Sequence, residues 1–363
     1  EAVEGDKVVS WLPLYHDMGL IGGWLWPLSN GCEHVQMATE VFLMNPSFWL
    51  QAITQIKATI TVAPNSGYAL CVKRIKESQM ATLDLSSLRI GLCGAEPIDT
   101  NAVAAFHDKF AAVGCSKDVI VPVYGLAEAT LAVTFSKTCT PVVTKHLDRE
   151  SLEQRGIATE VDPGTKNALA VVSVGYPLLD SEVRIVGPEG EVLADNRQGQ
   201  IVVRSGSLMK GYWNRPDASS EALHEGWLHT GDLGFLSEGS LYVTGRLKDL
   251  IITYGRNFYP HDIEWLAAEI NGIRTGCVAA FGIPNEDAST EEIVVVAETK
   301  EEDRKALIEM RREIRKLLIS AIECNPQHIV LVAPGGVPKT TSGKIRRVEA
   351  KRLFLTDGLE KRI

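Results

Sequence analysis

The chain has 363 residues, of which 45% are hydrophobic and 23% are charged, and its formal net charge is −9. This composition is that of an ordinary globular protein with room for two or three domains. The acidic balance argues against non-specific binding to nucleic acid, and no apolar stretch of about eighteen residues is present that would span a membrane.

The first residues and the cysteines predict a cytoplasmic protein. Residues 1–6 are polar and acidic, which does not fit a secretory signal. The seven cysteines are scattered without CxxC or other metal-ligand spacing, so they are typical of small hydrophobes in a reducing compartment. The chain lacks an initiator Met and runs at once into an apolar strand at 8–12, so we expect it to begin within a longer protein.

Residues 1–140 alternate short apolar runs with helical patterns. Strands are predicted at 58–63, 88–93 and 119–123. A helix is predicted at 99–110, with an Asp or Thr as its cap. Strands that alternate with helices predict a parallel α/β sheet, and ligands of such sheets bind beyond the carboxyl ends of the strands.

Residues 141–247 have a different pattern. Apolar and polar residues alternate at 181–186, 200–204 and 240–243, with turn residues between these runs. This pattern predicts an antiparallel, barrel-like subdomain. The polar, turn-rich stretch 145–167 fits neither a strand nor a helix pattern.

Residues 248–363 predict a small α+β domain at the C-terminal end of the chain. The patterns favour helices at 262–270 and 302–323 and strands at 275–281 and 293–298. Both charge signs are dense at 300–316, which indicates a solvated helix face. The predicted fold class is therefore a large α/β domain with a barrel-like part, followed by a smaller domain.

The segment YGLAEAT at 124–130 places a carboxylate directly after a predicted strand. The strand ends at Gly125, and Glu128 follows at the start of a predicted helix. Mg²⁺ takes one or two protein carboxylates together with phosphate oxygens, so Glu128 is a candidate ligand of Mg²⁺ on a triphosphate. Alternatively, Glu128 only interacts with the positive end of the helix dipole.

A second turn follows the strand predicted at 88–93. Its residues are Gly94, Ala95, Glu96 and Pro97. Because glycine has no side chain, such a turn can let the backbone approach a flat ring closely. The alternative is an ordinary turn between a strand and a helix.

The segment LHTGDLG at 228–234 predicts a tight turn between apolar runs. The carboxylate of Asp232 can accept hydrogen bonds from both hydroxyls of a ribose, as acidic residues do in dinucleotide sites. The alternative is a turn residue whose side chain bonds to its own backbone.

The segment GRLKD at 245–249 lies where the composition changes. Arg246 can bind a phosphate or a ribose oxygen. Lys248 and Asp249 are candidate hinge residues, because a few residues at a domain junction can absorb a large change in backbone angles. The alternative is a surface ion pair of little energetic value.

Two further positions are candidates for chemistry at the acyl group. Lys344 lies in the Thr-, Ser- and Gly-rich segment PKTTSGKIRR, and its ammonium can reach a carboxylate and a phosphate as they react. His16 follows the first strand and can border a carboxylate or acyl site. The alternatives are a solvated basic loop around Lys344 and a purely structural histidine.

Six motifs in fixed order resemble the adenylate-forming superfamily of acyl-CoA synthetases, peptide-synthetase adenylation domains and luciferases. They are LPLYHDMGL, GAEPI, YGLAEAT, HTGDLG, GRLKDLI and PKTTSGKIRR. The resemblance covers essentially the whole chain. The form WLPLYHDMGLIG at 11–22 and the segment GRNFYPHDIE at 255–264 are most similar to the fatty acyl-AMP ligases.

This resemblance implies activation of a fatty acid by ATP and Mg²⁺, followed by acyl transfer to an acyl carrier protein or a fused polyketide or peptide synthase. Lys344 is then the catalytic lysine, His16 borders the acyl carboxylate and Glu128 holds Mg²⁺. The turn at 94–97 and Tyr124 are then at adenine, and Asp232 and Arg246 are at the ribose. The complete set of implied nucleotide-binding residues is Gly94, Ala95, Glu96, Pro97, Tyr124, Gly125, Leu126, Asp232 and Arg246.

The resemblance also bears on the acyl acceptor. The polar stretch 137–167 matches the place where fatty acyl-AMP ligases carry an insertion that restrains the tail domain and disfavours CoA. Ile252 stands where many CoA ligases have Lys. The alternatives are a long-chain fatty acyl-CoA ligase and a non-catalytic adenylate-binding or interaction module.

One family feature is missing from the sequence. The family has a Ser-, Thr- and Gly-rich phosphate-binding loop upstream of the histidine motif, and this chain starts downstream of that place. We therefore expect the chain to be the C-terminal portion of a ligase and to be impaired as a catalyst by itself.

Overall fold

The computed structural model describes residues 3–285, 290–340 and 343–363. They divide into two units. The first comprises Glu1–Leu147 and Leu169–Thr244, and the second comprises Asp148–Ala168 and Gly245–Ile363. The second unit therefore combines the C-terminal end of the chain with a short segment from its middle.

The strands are numbered in chain order. They are β1 (Lys7–Ser10), β2 (Glu33–Gln36), β3 (Ile60–Ala63), β4 (Ile90–Cys93), β5 (Ile120–Gly125), β6 (Ala132–Phe135), β7 (Thr144–Asp148), β8 (Ala168–Val172), β9 (Tyr176–Pro177), β10 (Ser181–Val186), β11 (Gly199–Ser205), β12 (Leu223–His224), β13 (Trp227–Ser237), β14 (Ser240–Arg246), β15 (Ile251–Thr253), β16 (Arg256–Phe258), β17 (Ile273–Asn285), β18 (Thr290–Thr299) and β19 (His328–Val332).

The α-helices are α1 (Trp26–Ser29), α2 (Thr39–Met44), α3 (Ser47–Ile56), α4 (Asn65–Arg74), α5 (Glu77–Met80), α6 (Thr100–Phe110), α7 (Arg149–Arg155), α8 (Pro216–Ala222), α9 (Pro260–Glu269), α10 (Arg304–Ile322) and α11 (Arg347–Leu355). A π-helix occupies Met18–Leu25, and short 3₁₀ turns occupy Ala111–Val113, Ala127–Ala129 and Leu247–Asp249.

The main sheet of the first unit has the strand order β2-β1-β3-β4-β5-β6-β9. The first five strands are parallel, as the alternation of strands and helices predicted. Strands β6 and β9 extend the sheet in antiparallel fashion. All four residues of β3 are buried, which explains why this segment of the sequence is apolar and β-branched.

The first strand ends earlier than the predicted range 8–12. β1 stops at Ser10, because the hydroxyl of Ser10 accepts a hydrogen bond from the backbone N–H of Leu12 at 3.2 Å and turns the chain out of the sheet. The Trp11 ring then stacks on Phe42, with ring centroids 3.8 Å apart. This stack begins a buried aromatic row that continues through Trp49 and Tyr68.

The second sheet of the first unit is antiparallel, with the order β10-β11-β13-β12 and with β14 paired to β13. The predicted strand 181–186 matches β10, and alternate residues of this strand face the core that it shares with β11. The antiparallel part predicted from the alternating pattern is therefore present.

The second unit contains a sheet of β17, β18 and β19 and a small hairpin of β15 and β16. Strands β17 and β18 are antiparallel, whereas β18 and β19 are parallel. The apolar face of α10 covers one side of this sheet through Leu307, Ile314 and Leu318. The opposite face of α10 carries the dense charges that indicated a solvated surface.

The segment 148–168, which the sequence reading placed in the barrel-like part, lies in the second unit. It contains the helix α7, which begins with Asp148 as a cap accepting from Ser151 N–H at 2.7 Å. The buried Arg149 guanidinium lies 2.6 Å from Asp262 Oδ2 and 3.1 Å from Glu153 Oε1. Charge pairing with α9 is therefore what holds this polar segment in the second unit.

Five of the seven cysteines are buried, in keeping with their interpretation as small hydrophobes. Burial raises the pKa of Cys115 and of Cys324 to about 12, so these thiols stay protonated. Cys32 is half-buried and packs against the hydrophobic cluster of Val8 and Ile60, whereas Cys139 is exposed and the interpretation does not hold for it.

Within the described ranges, no helix combines the length and the apolar character that a membrane span requires.

The ion pairs around Arg149 predict a pH-dependent stability. Burial raises the pKa of Glu153 to about 7, against the opposing effect of Arg149. We expect Arg149→Met to lower the free energy of unfolding by about 3 kcal/mol at about pH 8, because it leaves the carboxylates of Glu153 and Asp262 buried without this cation. Denaturant unfolding of the full-length gene product measures this loss.

The loss is expected to shrink between about pH 8 and pH 5. Without the guanidinium the pKa of Glu153 rises further in the folded state, so the folded variant binds a proton at higher pH than the folded wild type does, and part of the loss is recovered as the pH falls. Arg352→Met, which breaks the exposed pair of Arg352 and Glu349, is the control and should leave the midpoint unchanged. An equal loss at both pH values would contradict this account.

Candidate active site

The carboxyl ends of β4 and β5 lie side by side, and the turn at 94–97 begins there. A Cβ atom on Gly94 would lie 2.7 Å from the carbonyl oxygen of Val123 in β5. The glycine at this position is therefore required by the neighbouring strand, which is a different reason from the close approach of a ligand ring that the sequence suggested.

The rest of this turn has an unusual backbone. Ala95 has φ +67°, a left-handed conformation that costs energy for a residue with a Cβ atom. The carboxylate of Glu96 accepts a hydrogen bond from the backbone N–H of Ser66, which follows β3. The ends of three parallel strands are thus connected through this turn.

Tyr124 and Asp232 are brought together by the fold. They are 108 residues apart in sequence, and the Tyr124 hydroxyl donates a hydrogen bond of 2.6 Å to Asp232 Oδ2. Asp232 is 8% exposed, so its carboxylate is largely shielded from water. A charge-assisted bond of this length fixes the carboxylate beside the end of β5.

The prediction that 228–234 forms a tight turn is wrong. The whole segment lies within β13, where three residues, 230–232, oppose the single residue Ile201 of β11. Gly231 adopts φ +74° in this bulge, and the Thr230 hydroxyl donates to the Ile201 carbonyl at 2.8 Å. A bulge re-aims a side chain without ending the strand, which is how Asp232 comes to point at Tyr124.

The prediction of a helix at Glu128 is also wrong. A 3₁₀ turn of three residues, Ala127–Ala129, is followed directly by β6. A helix cannot continue because Thr130 has φ +65° and ψ −52°. The interpretation of Glu128 as a partner of a helix dipole therefore falls away, and its carboxylate instead accepts a hydrogen bond from the Tyr212 hydroxyl at 2.7 Å.

His16 closes a turn that starts at Pro13, and its backbone N–H donates to the Pro13 carbonyl at 3.1 Å. Its Nδ1 lies 2.6 Å from Asp17 Oδ1. The π-helix Met18–Leu25 follows at once, and such helices are frequent at functional sites. Gly19 is required here, because a Cβ atom would lie 2.3 Å from the Pro13 carbonyl oxygen.

In the second unit, the proposed hinge residues occupy the 3₁₀ turn Leu247–Asp249, which follows Arg246. The guanidinium of Arg347 donates to Asp249 Oδ2 at 2.8 Å. It also donates two bonds to Glu264, at 2.8 Å to Oε1 and 2.7 Å to Oε2. The Glu264 carboxylate is 9% exposed, and burial raises its pKa against the effect of Arg347.

Lys344 lies in a hairpin-like loop of the second unit, in which residues 341 and 342 fall outside the described ranges. Both backbone groups of Lys344 form hydrogen bonds with Thr340. Its carbonyl accepts from Thr340 N–H at 2.8 Å, and its N–H donates to the Thr340 hydroxyl at 3.0 Å. The backbone of Lys344 is thus held by Thr340, and the residue is half-buried.

Sequence reasoning missed three side chains that connect to the predicted site residues. They are Tyr212 beside Glu128, Arg347 beside Asp249, and Glu264, which reaches Asp249 only through Arg347. Arg347 follows Lys344 by three residues, so the basic run after Lys344 was a signal. Tyr212 and Glu264 lie far from their partners in sequence and carried no such signal.

The described residues include no cluster of three or more His, Cys, Asp or Glu side chains that could hold a metal ion by themselves. Glu128 therefore fits only a cation that takes most of its ligands from elsewhere. Mg²⁺ bound chiefly through substrate phosphates has this preference, since it needs only one or two protein carboxylates.

The glycine at the end of β5 provides a test of this geometry. A Cβ atom on Gly125 would lie 1.9 Å from the carbonyl oxygen of Leu131, which is backbone and cannot move aside. We expect Gly125→Ala to destabilise the full-length gene product by about 2–3 kcal/mol in denaturant unfolding. Gly164→Ala is the control, because nothing lies within 4 Å of its Cβ position. Similar midpoints for both variants would show that the end of β5 is not so tightly packed.

Known proteins resemble this chain in sequence. A family profile described as AMP-binding enzyme matches residues 1–213. The long-chain-fatty-acid–AMP ligase FadD26 of Mycobacterium marinum is 37% identical over 98% of this chain and 63% of its own length. A 4-hydroxyphenylalkanoate adenylyltransferase of Mycobacterium tuberculosis is 36% identical over 96% of this chain and 58% of its own length.

Solved structures resemble it as well. One from a study of fatty acyl-adenylate ligases of E. coli and L. pneumophila has a TM-score of 0.92 and 36% identity, and covers 99% of this chain and 63% of that chain. A keto acid-selecting NRPS module has a TM-score of 0.89 and 29% identity, and covers 99% of this chain and 30% of that chain.

The chain spans about three fifths of the length of these single-enzyme relatives. The match of the family profile to more than half of its residues, together with the shared fold, assigns the family. The chain belongs to the AMP-binding enzyme family.

Proposed function

We propose that the full-length gene product activates a fatty acid with ATP and then transfers the acyl group to the phosphopantetheine thiol of a carrier protein. In the first step a carboxylate oxygen bonds to the α-phosphorus of ATP, the bond from that phosphorus to the bridging oxygen breaks, and pyrophosphate leaves. In the second step the thiol sulfur bonds to the acyl carbon, the acyl–oxygen bond to AMP breaks, and the thiol proton passes to solvent.

The bond between Tyr124 and Asp232 is the observation that carries this proposal. It joins an aromatic ring at the end of β5 to a shielded carboxylate. A carboxylate can accept several hydrogen bonds at once, so the bond from Tyr124 is compatible with bonds from both ribose hydroxyls. A nucleoside site needs a flat ring for the base next to a carboxylate for the ribose.

The remaining nucleotide contacts are proposed from the same edge of the first unit and from Arg246 of the second unit. The turn Gly94–Pro97 and the residues Tyr124, Gly125 and Leu126 would flank adenine, and Arg246 would bind the ribose. The rigid backbone at Gly94 and Ala95 supports this role, because a flat ring needs a surface that does not move when the ring binds.

Glu128 would hold Mg²⁺ on the phosphates through its carboxylate. When bound, the cation supplies positive charge to the phosphate oxygens. Lys344 would supply the second positive charge, at the fatty carboxylate and the α-phosphate, by electrostatic positioning without proton transfer. His16, held by Asp17, would border the carboxylate. Lys248 and Asp249 would be the hinge about which the second unit moves between the two steps.

The choice of a fatty acid and a carrier protein is supported by relatives and by sequence. FadD26 is named a long-chain-fatty-acid–AMP ligase. Ile252 is 51% exposed, so its apolar side chain is presented to solvent where many CoA ligases have Lys. The packing of Arg149 in the second unit supports an insertion that restrains the tail domain.

The substitution Lys344→Ala tests the catalytic lysine. We expect fatty acid-dependent exchange of pyrophosphate into ATP to fall by about 100- to 1,000-fold, whereas ATP still binds, because the lysine contributes chiefly to the transition state. The measurement compares exchange rate and ATP affinity in the full-length gene product. Lys305→Ala, at an exposed helix start, is the matched control. Exchange retained by Lys344→Ala would overturn the assignment.

A direct comparison of acceptors tests the second step. The full-length gene product is given a fatty acid and ATP, together with either CoA or a phosphopantetheinylated carrier protein. With the carrier protein we expect the acylated carrier as the product. With CoA we expect acyl-adenylate to accumulate. Efficient acyl-CoA formation would favour a fatty acyl-CoA ligase, and no acyl-adenylate with any fatty acid would overturn the proposed function.

A further inference from the structure

The backbone around Glu128 is held in a conformation that a short turn would not adopt by itself. Leu131 N–H donates to the Ala129 carbonyl at 2.7 Å across Thr130, which has φ +65° and ψ −52°. This is a γ-turn of the rare type with positive φ, and its central residue is β-branched. Such strain persists only where neighbouring structure imposes it.

The segment that imposes it is residues 206–212, which follows β11 and which we call the support segment. Met209 N–H donates to the Glu128 carbonyl at 2.7 Å. The Thr130 hydroxyl donates to the Ser207 carbonyl at 2.8 Å, and the Ser207 hydroxyl donates back to the Ala129 carbonyl at 3.1 Å. Three bonds therefore tie the support segment to Glu128 and to the first two residues of the strained turn, Ala129 and Thr130.

A fourth bond reaches the carboxylate itself. The Tyr212 hydroxyl donates to Glu128 Oε1 at 2.7 Å, over 84 residues of sequence. Tyr212 is in turn fixed by its backbone N–H, which donates to the Ser219 hydroxyl at 2.8 Å at α8. Gly211 is needed for this approach, because a Cβ atom there would lie 2.9 Å from Ser219 Oγ.

We propose that Tyr212 is a positioning residue that holds the Glu128 carboxylate in the orientation in which it meets the divalent cation. This inference rests on the proposed function. Tyr212 engages one carboxylate oxygen and so restricts rotation of the glutamate side chain, which removes an ordering cost that cation binding would otherwise bear. A glutamate side chain that is already restrained in this way loses less conformational freedom when the cation binds.

The experiment uses the full-length gene product and measures the dissociation constant of ATP by calorimetry, once with Mg²⁺ and once with EDTA. For Tyr212→Phe we expect the gain in ATP affinity from Mg²⁺ to fall by about 10-fold, with unchanged affinity in EDTA. The Mg²⁺ concentration for half-maximal pyrophosphate exchange should rise by a similar factor, and exchange should recover at saturating Mg²⁺.

Tyr176→Phe is the matched control. Tyr176 is a half-exposed tyrosine of the same unit whose ring lies 5.5 Å from the Lys137 ammonium, a contact that phenylalanine keeps. It should bind ATP as wild type does in both conditions. Ser219→Ala removes the acceptor of the Tyr212 backbone bond and should shift the Mg²⁺ dependence in the same direction. This variant tests the proposal if Tyr212→Phe does not fold.

The outcomes separate this inference from the proposed function. If Tyr212→Phe weakens ATP binding equally with Mg²⁺ and with EDTA, or weakens neither, then Tyr212 only tethers the support segment and the inference is overturned. If the wild-type protein gains no ATP affinity from Mg²⁺ and catalyses no exchange, then the proposed function fails and this inference fails with it.

Discussion

The parallel order of β1, β3, β4 and β5 is the constraint on which the first unit depends. Parallel strands require crossover connections, so each strand is followed by its own loop at the same edge of the sheet. The turn after β4 and the tyrosine near the end of β5 become neighbours for this reason. Asp232 joins that edge from the second sheet through its bond to Tyr124.

The edge is shaped by departures from regular structure. The bulge in β13, the left-handed Ala95 and the γ-turn at Thr130 each cost free energy by themselves. The bulge and the γ-turn are each secured by a hydrogen bond to a neighbouring segment, from Thr230 to Ile201 and from Thr130 to Ser207. The regular core therefore stabilises an irregular rim, which is the usual division of roles between a scaffold and its loops.

The regular elements were predictable because their signals are local. The run Ile60–Ala63 is mostly apolar and is buried over its whole length, and Asp99 caps its helix as predicted by accepting from Asn101 N–H. The order of the six motifs predicted the family, which the match to residues 1–213 confirms. The position of Glu128 just beyond the end of β5 also followed from pattern, although its role stays a prediction.

Long-range pairing was not predictable from pattern. The segment at 228–234 has the composition of a turn, and only its pairing with Ile201 makes it a bulge within one strand. The polar segment 148–168 carries no strong apolar period, so nothing in it indicated that Arg149 would be buried against Asp262. Tyr212 reaches Glu128 across 84 residues, a distance at which side-chain identity alone gives no partner.

The contacts of Arg347 have a consequence for motion. The Arg347 guanidinium lies at the start of α11, just after the loop that contains Lys344 (the lysine loop). It donates to Asp249 in the 3₁₀ turn and to Glu264 in α9. A change of backbone angles at Asp249 that withdraws its carboxylate leaves the cation with Glu264 alone. The free energy of that change is therefore linked to the placement of the lysine loop, and by reciprocity any ligand that draws the loop toward itself also biases the backbone at Asp249. Arg347 thus couples the position of the loop that contains Lys344 to the backbone at Asp249 within the second unit.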